Sequence, residues 1–201
     1  MYYNNADNNV KKGLSTGSKI TIGVVIALLL LCVFTYNNLV NKEEDVKQAF
    51  ADVQTYMQRR IELIPDLVET TKAASKHEEN ITENITNARA ALGNSIKSGD
   101  LQAMDDANKE LTTAVNSLLV LVENYPEITA NENYITLMDQ LEGTVNRISV
   151  AREDYNEAVS SYNRVVRGFP GSILANMFGF EKMESFKADD AANQTNMVDF
   201  D

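Results

Sequence analysis

Tryptophan is absent, cysteine and histidine occur once each, and the chain holds only 9 Gly and 3 Pro in 201 residues. With Cys32 alone, an internal disulfide and a cysteine-ligated zinc site are excluded. Leu31 before it is too large for a lipoprotein signal, so Cys32 is expected to be a small lipid-facing side chain. His77-Glu78-Glu79-Asn80 begins like a zinc-protease motif but lacks the second histidine one helical turn on. No Glu-x-x-His pair is present to build a di-iron bundle site, and no metal or other cofactor is expected. The shortage of Gly and Pro, and the missing turn clusters that punctuate strands, exclude a loop-rich or all-β protein and predict an all-α one.

Positive charge is scarce too. The 18 Lys and Arg face 29 Asp and Glu, for a formal net charge of -11. The first nineteen residues carry Lys11, Lys12 and Lys19 against Asp7, or +2, which leaves -13 on the remainder. An acidic domain of this kind repels phosphate backbones, so nucleic acid is not expected as a partner. It also repels an anionic lipid surface outside the anchor.

What the chain does have is one long apolar run. No charge falls between Lys19 and Lys42, and residues 20–40 span about 31 Å as a helix, a bilayer's hydrocarbon thickness. Tyr36 sits where an interfacial aromatic belongs. No small-x-small cleavage site follows Cys32, which favours an uncleaved anchor in the lipid bilayer. Lys11, Lys12 and Lys19 on one flank against Lys42 and Lys47 on the other lean toward a cytoplasmic N-terminus.

Beyond the anchor, Val46, Phe50, Val53, Met57, Ile61, Ile64 and Val68 recur with a mean step of about 3.7 residues, nearer a straight helix than a supercoiled one. Residues 37–92 read as one long helix or two collinear ones, with a kink near Ile61 to Pro65, a possible break near Ser75 to Glu79 and a stop at Gly93. A second helix follows Ser98-Gly99-Asp100 over Leu101 to Glu123, with the stripe Leu101, Met104, Asn108, Leu111, Val115, Leu118 and Val122. Thr129 to Glu132 has capping-box spacing. A third helix over Asn133 to Arg167 has the stripe Leu137, Leu141, Val145, Ile148, Arg152, Tyr155, Val159, Tyr162 and Val166. Ser172 to Phe180 reads as a short closing helix. The expected organisation is a polar N-terminal tail at 1–19, a transmembrane anchor at 20–40, an antiparallel bundle of three long helices plus a short one at 41–180, and an acidic disordered tail at 181–201.

Arg60 at the edge of the first stripe and Arg152 within the third stand out, because a buried charge needs partners. Tyr155, Asn156, Tyr162 and Asn163 offer hydrogen-bonding tips nearby, so these six residues form a candidate polar network or partner groove, in which two arginines could clamp a carboxylate. Glu62 and Asp66 lie beside Arg59 and Arg60 and read first as helix-surface ion pairing, with carboxylate-based hydrolysis as the alternative.

Three stretches resemble the LemA family of bacterial membrane proteins: Tyr36-Asn37-Asn38-Leu39-Val40; the run from Arg59 through Ile64-Pro65-Asp66-Leu67-Val68 to Thr70, followed by His77-Glu78; and Ala151 to Asn156 with Ser161-Tyr162-Asn163 and Phe169-Pro170. Glu123 to Pro126 and Ala130 to Asn133 fit as well, so the resemblance covers about residues 36–180. It departs from the common pattern at Glu62 and Asp66, where Asp and Asn are usual. The resemblance implies a single-pass protein of the bacterial cell membrane with a helical-bundle domain, no agreed catalytic residues, and a bundle inside the cell, opposite to the lysine count. The expected function is an interaction or scaffold module, not an enzyme, that meets other membrane proteins. The alternatives are a sensor of a small anionic ligand and, less favoured, a hydrolase.

Overall fold

The apolar run and the first buried stripe belong to one helix. In the computed structural model, which describes residues 16–75 and 79–187, α1 runs unbroken over Thr16–Thr70. Among the described residues nothing wraps its first part: Ile20, Leu29 and Phe34 are 64%, 61% and 69% exposed, as suits side chains meant for lipid rather than for protein. The bundle begins at Leu39, which is fully buried. From there Val46, Val53, Met57, Ile61 and Ile64 are buried, with Phe50 and Val68 half-buried beside them. Leu63 and Leu67 are buried as well, because α1 is covered on two sides.

Pro65 does not interrupt α1. A proline lacks the N–H that would satisfy the carbonyl four residues earlier, here that of Ile61. Arg89 of the helix α3 (Glu79–Ser98) supplies the missing donor, its Nε lying 3.1 Å from the Ile61 oxygen.

That contact also marks where the fold departs from a collinear reading of residues 37–92. The chain turns after α1, through Thr71 and the one-turn helix α2 (Lys72–Ser75), and α3 then runs back antiparallel to α1. Gln54 bonds the Ile96 carbonyl at 3.0 Å, and Gly93 packs on Ile61. The reason is visible in the residues: Glu69 to Asn80 contains no large apolar side chain, so no stripe carries the first helix onward. Thr70 and Thr71 also turn their hydroxyls onto the carbonyls of Asp66 and Leu67 at the helix end. Gly93 is not a stop. The stop is Gly99, at φ +70, a left-handed position that suits glycine, whose N–H donates to the Ser95 carbonyl.

Asp100 then caps α4 (Leu101–Val122) through the Ala103 N–H at 2.9 Å. A one-turn helix α5 (Pro126–Thr129) leads into α6 (Glu132–Arg167). The cap there is Asn131, not the Thr129 box expected from spacing; Thr129 bonds the Pro126 carbonyl instead. α6 lies antiparallel along α1, pairing Gln140 with Arg59, Arg147 with Tyr56 and Tyr155 with Phe50. α7 (Gly171–Phe178) closes the end of the bundle beside Tyr36. Four long helices, not three, therefore build the antiparallel all-α bundle among the described residues. The segment from Glu181 to Lys187, expected within a disordered tail, lies along α6 with Phe186 in the core. Residues 188–201 and His77 fall outside the described residues.

Replacing Arg89 by Ala should lower unfolding stability in detergent by about 1.5–3 kcal/mol, the worth of a hydrogen bond from a charged donor. In a Pro65→Ala background the restored N–H takes the Ile61 carbonyl, and the same replacement should cost clearly less; equal costs in both backgrounds would refute the repair role.

Candidate functional site

Arg60 is placed by α1 so that it faces α4, one turn from Met57 and Ile64, and it is 3% exposed. Its Nη1 donates to Asn108 Oδ1 and its Nη2 to Thr112 Oγ1 at 3.0 Å. Thr112 in turn donates to the Asn108 carbonyl. Both partners are neutral, and Nε has no acceptor. Among the described residues no carboxylate pairs with this guanidinium. Burial pushes the Arg60 pKa down to about 10, so the group still carries its charge at neutral pH.

Arg152 reaches the same place from α6 and is neutralised. Its Nη1 lies 2.8 Å from Asp105 Oδ1, and Asp105, itself 5% exposed, also meets Lys109 at 3.0 Å. Arg152 Nη2 donates to the Lys187 carbonyl, and its guanidinium lies 4.9 Å from the centre of the Phe186 ring. Between α4 and α6 lies a groove of about 430 Å³, lined by Arg60, Asn108, Lys109, Thr112, Val145, Ile148 and Arg152 among others. Arg60, Lys109 and Arg152 all line this groove, and the buried Asp105 carboxylate pairs with the latter two. The two arginines were legible from sequence. Asp105, Lys109 and Thr112 were not picked out, although Asp105, Asn108, Lys109 and Thr112 fall at i, i+3, i+4 and i+7, a polar line along one face of α4.

The other candidates serve a different purpose. Tyr155 donates its hydroxyl to the Glu184 carbonyl at 2.9 Å. Asn156 brackets Phe186, accepting from its N–H at 2.9 Å and donating to its carbonyl at 3.1 Å. Asn163, seven residues on and so on the same face, does the same to Met183 at 3.0 and 2.8 Å. These side chains clamp the segment 183–186 onto α6, and Arg152 joins them there through the Phe186 ring and the Lys187 carbonyl, whereas Arg60 bonds to α4. Tyr162 is 1% exposed and packs in the core, its pKa raised by burial and by Glu43 and Glu181; that of Tyr155 is raised by burial and by Glu184.

Glu62 and Asp66 are exposed on α1, and Glu62 meets Arg59 at 3.9 Å and Gln58 at 3.3 Å. Met57 and Met104 are core residues. Among the described residues no three His, Cys, Asp or Glu side chains cluster as metal ligands would.

The profile of the LemA family matches residues 49–200. The chain belongs to the LemA family. With its membrane-length apolar helix, it is a single-pass membrane protein of this bacterial family. The family match starts within α1 and takes in both sides of the groove and the clamped segment. Two magnetosome proteins, MamQ 1 and MamQ 2 of Paramagnetospirillum magneticum, are each 27% identical over 191 residues, covering 84% of this chain and 70% of theirs. MamQ of Magnetospirillum gryphiswaldense is 24% identical over 83% of this chain and 70% of its own. Protein LemA of Metamycoplasma hominis is 20% identical over 92% of this chain and 86% of its own.

Removing either clamp carboxamide deletes two hydrogen bonds of about 1 kcal/mol each. Asn156→Ala and Asn163→Ala should therefore speed tryptic cleavage after Lys182 and Lys187 about tenfold or more, with little change in global unfolding. Unchanged cleavage rates would show that the segment is held by Phe186 alone.

Proposed function

We propose that this LemA-family chain is a membrane-tethered interaction module whose groove between α4 and α6 receives a carboxylate-bearing segment of a neighbouring membrane protein. The observation that carries this reading is Arg60: a buried cation with neutral partners and an unsatisfied Nε, lining a groove that no other part of the described chain enters. Burying a charge without a counter-charge costs stability, and an apolar side chain of similar volume is often the more stable choice. A guanidinium kept charged in such a place suits a ligand that brings the missing anion. The anchor confines the groove to a layer at the bilayer, which raises the effective concentration of membrane-bound partners. That relatives named as magnetosome proteins and as LemA match the same chain suits a recognition module more than one fixed reaction.

A second reading, a sensor of a soluble anion, draws support from the groove's size, which falls in the range of small-molecule pockets. A hydrolase centred on Glu62 and Asp66 has weaker support, since both are exposed and Glu62 is engaged by Arg59 and Gln58.

A photo-crosslinking side chain at Ser149, on the groove wall, should give discrete protein adducts in native membranes, and Arg60→Met should abolish them while leaving the unfolding midpoint unchanged or higher. Asn108→Asp provides an internal carboxylate; it should raise stability by about 1 kcal/mol and suppress the same adducts. Adducts that persist in both variants would overturn the reading. Thermal stabilisation by soluble carboxylates, lost in Arg60→Met, would favour the sensor. Because Arg60 titrates near 10, adduct yield should be flat between about pH 6 and 9.

A further inference from the structure

The end of the bundle nearest the apolar part of α1 carries a face that no element among the described residues covers. α7 buries Gly171, Leu174 and Ala175 against the bundle, yet its outer side is apolar as well. Ile173, Met177 and Phe178 are 57%, 64% and 57% exposed, and Phe169, just before the helix, is 84% exposed. Phe169, Ile173 and Met177 are spaced by four, so they share one side. No charged residue occurs from Gly168 to Phe180. A water-facing helix end with four large apolar side chains and no charge is unusual, and such patches mark contact surfaces.

Its position says what it contacts. The Phe178 ring packs edge-on to Tyr36 of α1 at 4.9 Å, and Phe180 lies 5.9 Å from the same ring. Tyr36 is within the uncharged stretch of α1, which continues to Val40. If residues 20–40 fill the hydrocarbon thickness, Tyr36 lies about 6 Å below its edge, from the helical rise of four residues. That is the depth at which interfacial helices sit, about 5–10 Å into the headgroup and acyl boundary. With that placement, Arg164 and Arg167, exposed on the last turn of α6, would be available to lipid phosphates.

We propose that α7 is a second membrane contact, an interfacial helix that inserts Phe169, Ile173, Met177 and Phe178 into the leaflet from which α1 emerges. The bundle is then seated on the bilayer by two elements. α1 spans it, and α7 lies in its surface and fixes the rotation of the bundle about the α1 axis. This contact is independent of the Arg60 groove.

The test uses the full chain with Cys32→Ser, one copy per phosphatidylcholine nanodisc, and an environment-sensitive dye on Ile173→Cys. A matched dye on Val120→Cys, exposed near the far end of α4, serves as the reference. Doxyl-labelled lipid should quench the dye at 173 several-fold more than at 120. The substitutions Met177→Ser and Phe169→Ser together should weaken that quenching while helicity and unfolding midpoint stay unchanged, since both side chains are exposed. Quenching at 173 no greater than at 120 would overturn the proposal. So would quenching that is absent in single-copy discs while crosslinking through 173 appears at higher copy number, which would assign the face to a second chain.

Discussion

The absence of a joint between lipid and bundle governs the structure. From Val24 to Ile64 the chain contains neither glycine nor proline, and α1 passes through this whole stretch as one helix. The direction in which it leaves the bilayer is therefore the direction of the bundle's central element. α6, at 36 residues, runs beside it and inherits the same axis. α3 and α4 form a hairpin against the far part of α1, while α7 lies at the near end. The groove and the membrane-facing end thus stand at set heights on one rod. A tethered domain on a flexible linker samples many orientations, whereas this one presents each face at a defined distance from the lipid.

The same helix explains why Pro65 is tolerated. A proline in a lone helix would leave the Ile61 carbonyl unsatisfied, and the cost would fall on α1 itself. In the bundle, the reversal between α1 and α3 brings Arg89 back to that carbonyl. Local strain and chain topology are matched here: the turn that makes α3 antiparallel is what allows the repair.

The residues that follow helical periodicity were legible from sequence, and those whose role depends on a partner were not. Most of the stripes on α1, α4 and α6 became core because apolar spacing near 3.6 permits little else, the departures being Val145, 42% exposed on the groove wall, and the polar Asn108 and Arg152. The reversal after Thr70 is not legible because a gap in apolar residues fits a pause in a stripe as well as a turn. Gly93 and Gly99 look alike in sequence, but Gly93 lies inside α3 opposite Ile61 with room for a methyl group, whereas Gly99 adopts a left-handed cap. The tail's six acids from residue 181 to 201 concealed Met183 and Phe186, whose backbone groups are held by Asn156 and Asn163. Composition carries no information on bonds made to main-chain atoms. Arg60 and Arg152 stand out as charges within apolar stripes, whereas Tyr155, Asn156 and Asn163 take main-chain partners in the segment 183–186, which Arg152 also holds through Lys187 and Phe186.

Arg60 and Arg152 solve one problem in opposite ways, and the contrast narrows what the groove is for. Arg152 has a carboxylate at 2.8 Å, a main-chain acceptor and an aromatic ring, which are the partners a structural arginine needs. Arg60 is more deeply buried and has fewer. If both served only to fix helix register, the deeper one would have the stronger claim on Asp105. Instead α4 offers Arg60 an amide and a hydroxyl, which orient the guanidinium without cancelling its charge. An arginine held rigid, desolvated and uncompensated has prepaid the ordering cost of binding an anion. Stability alone favours an apolar side chain at this place, and the proposed recognition role accounts for the charge kept there.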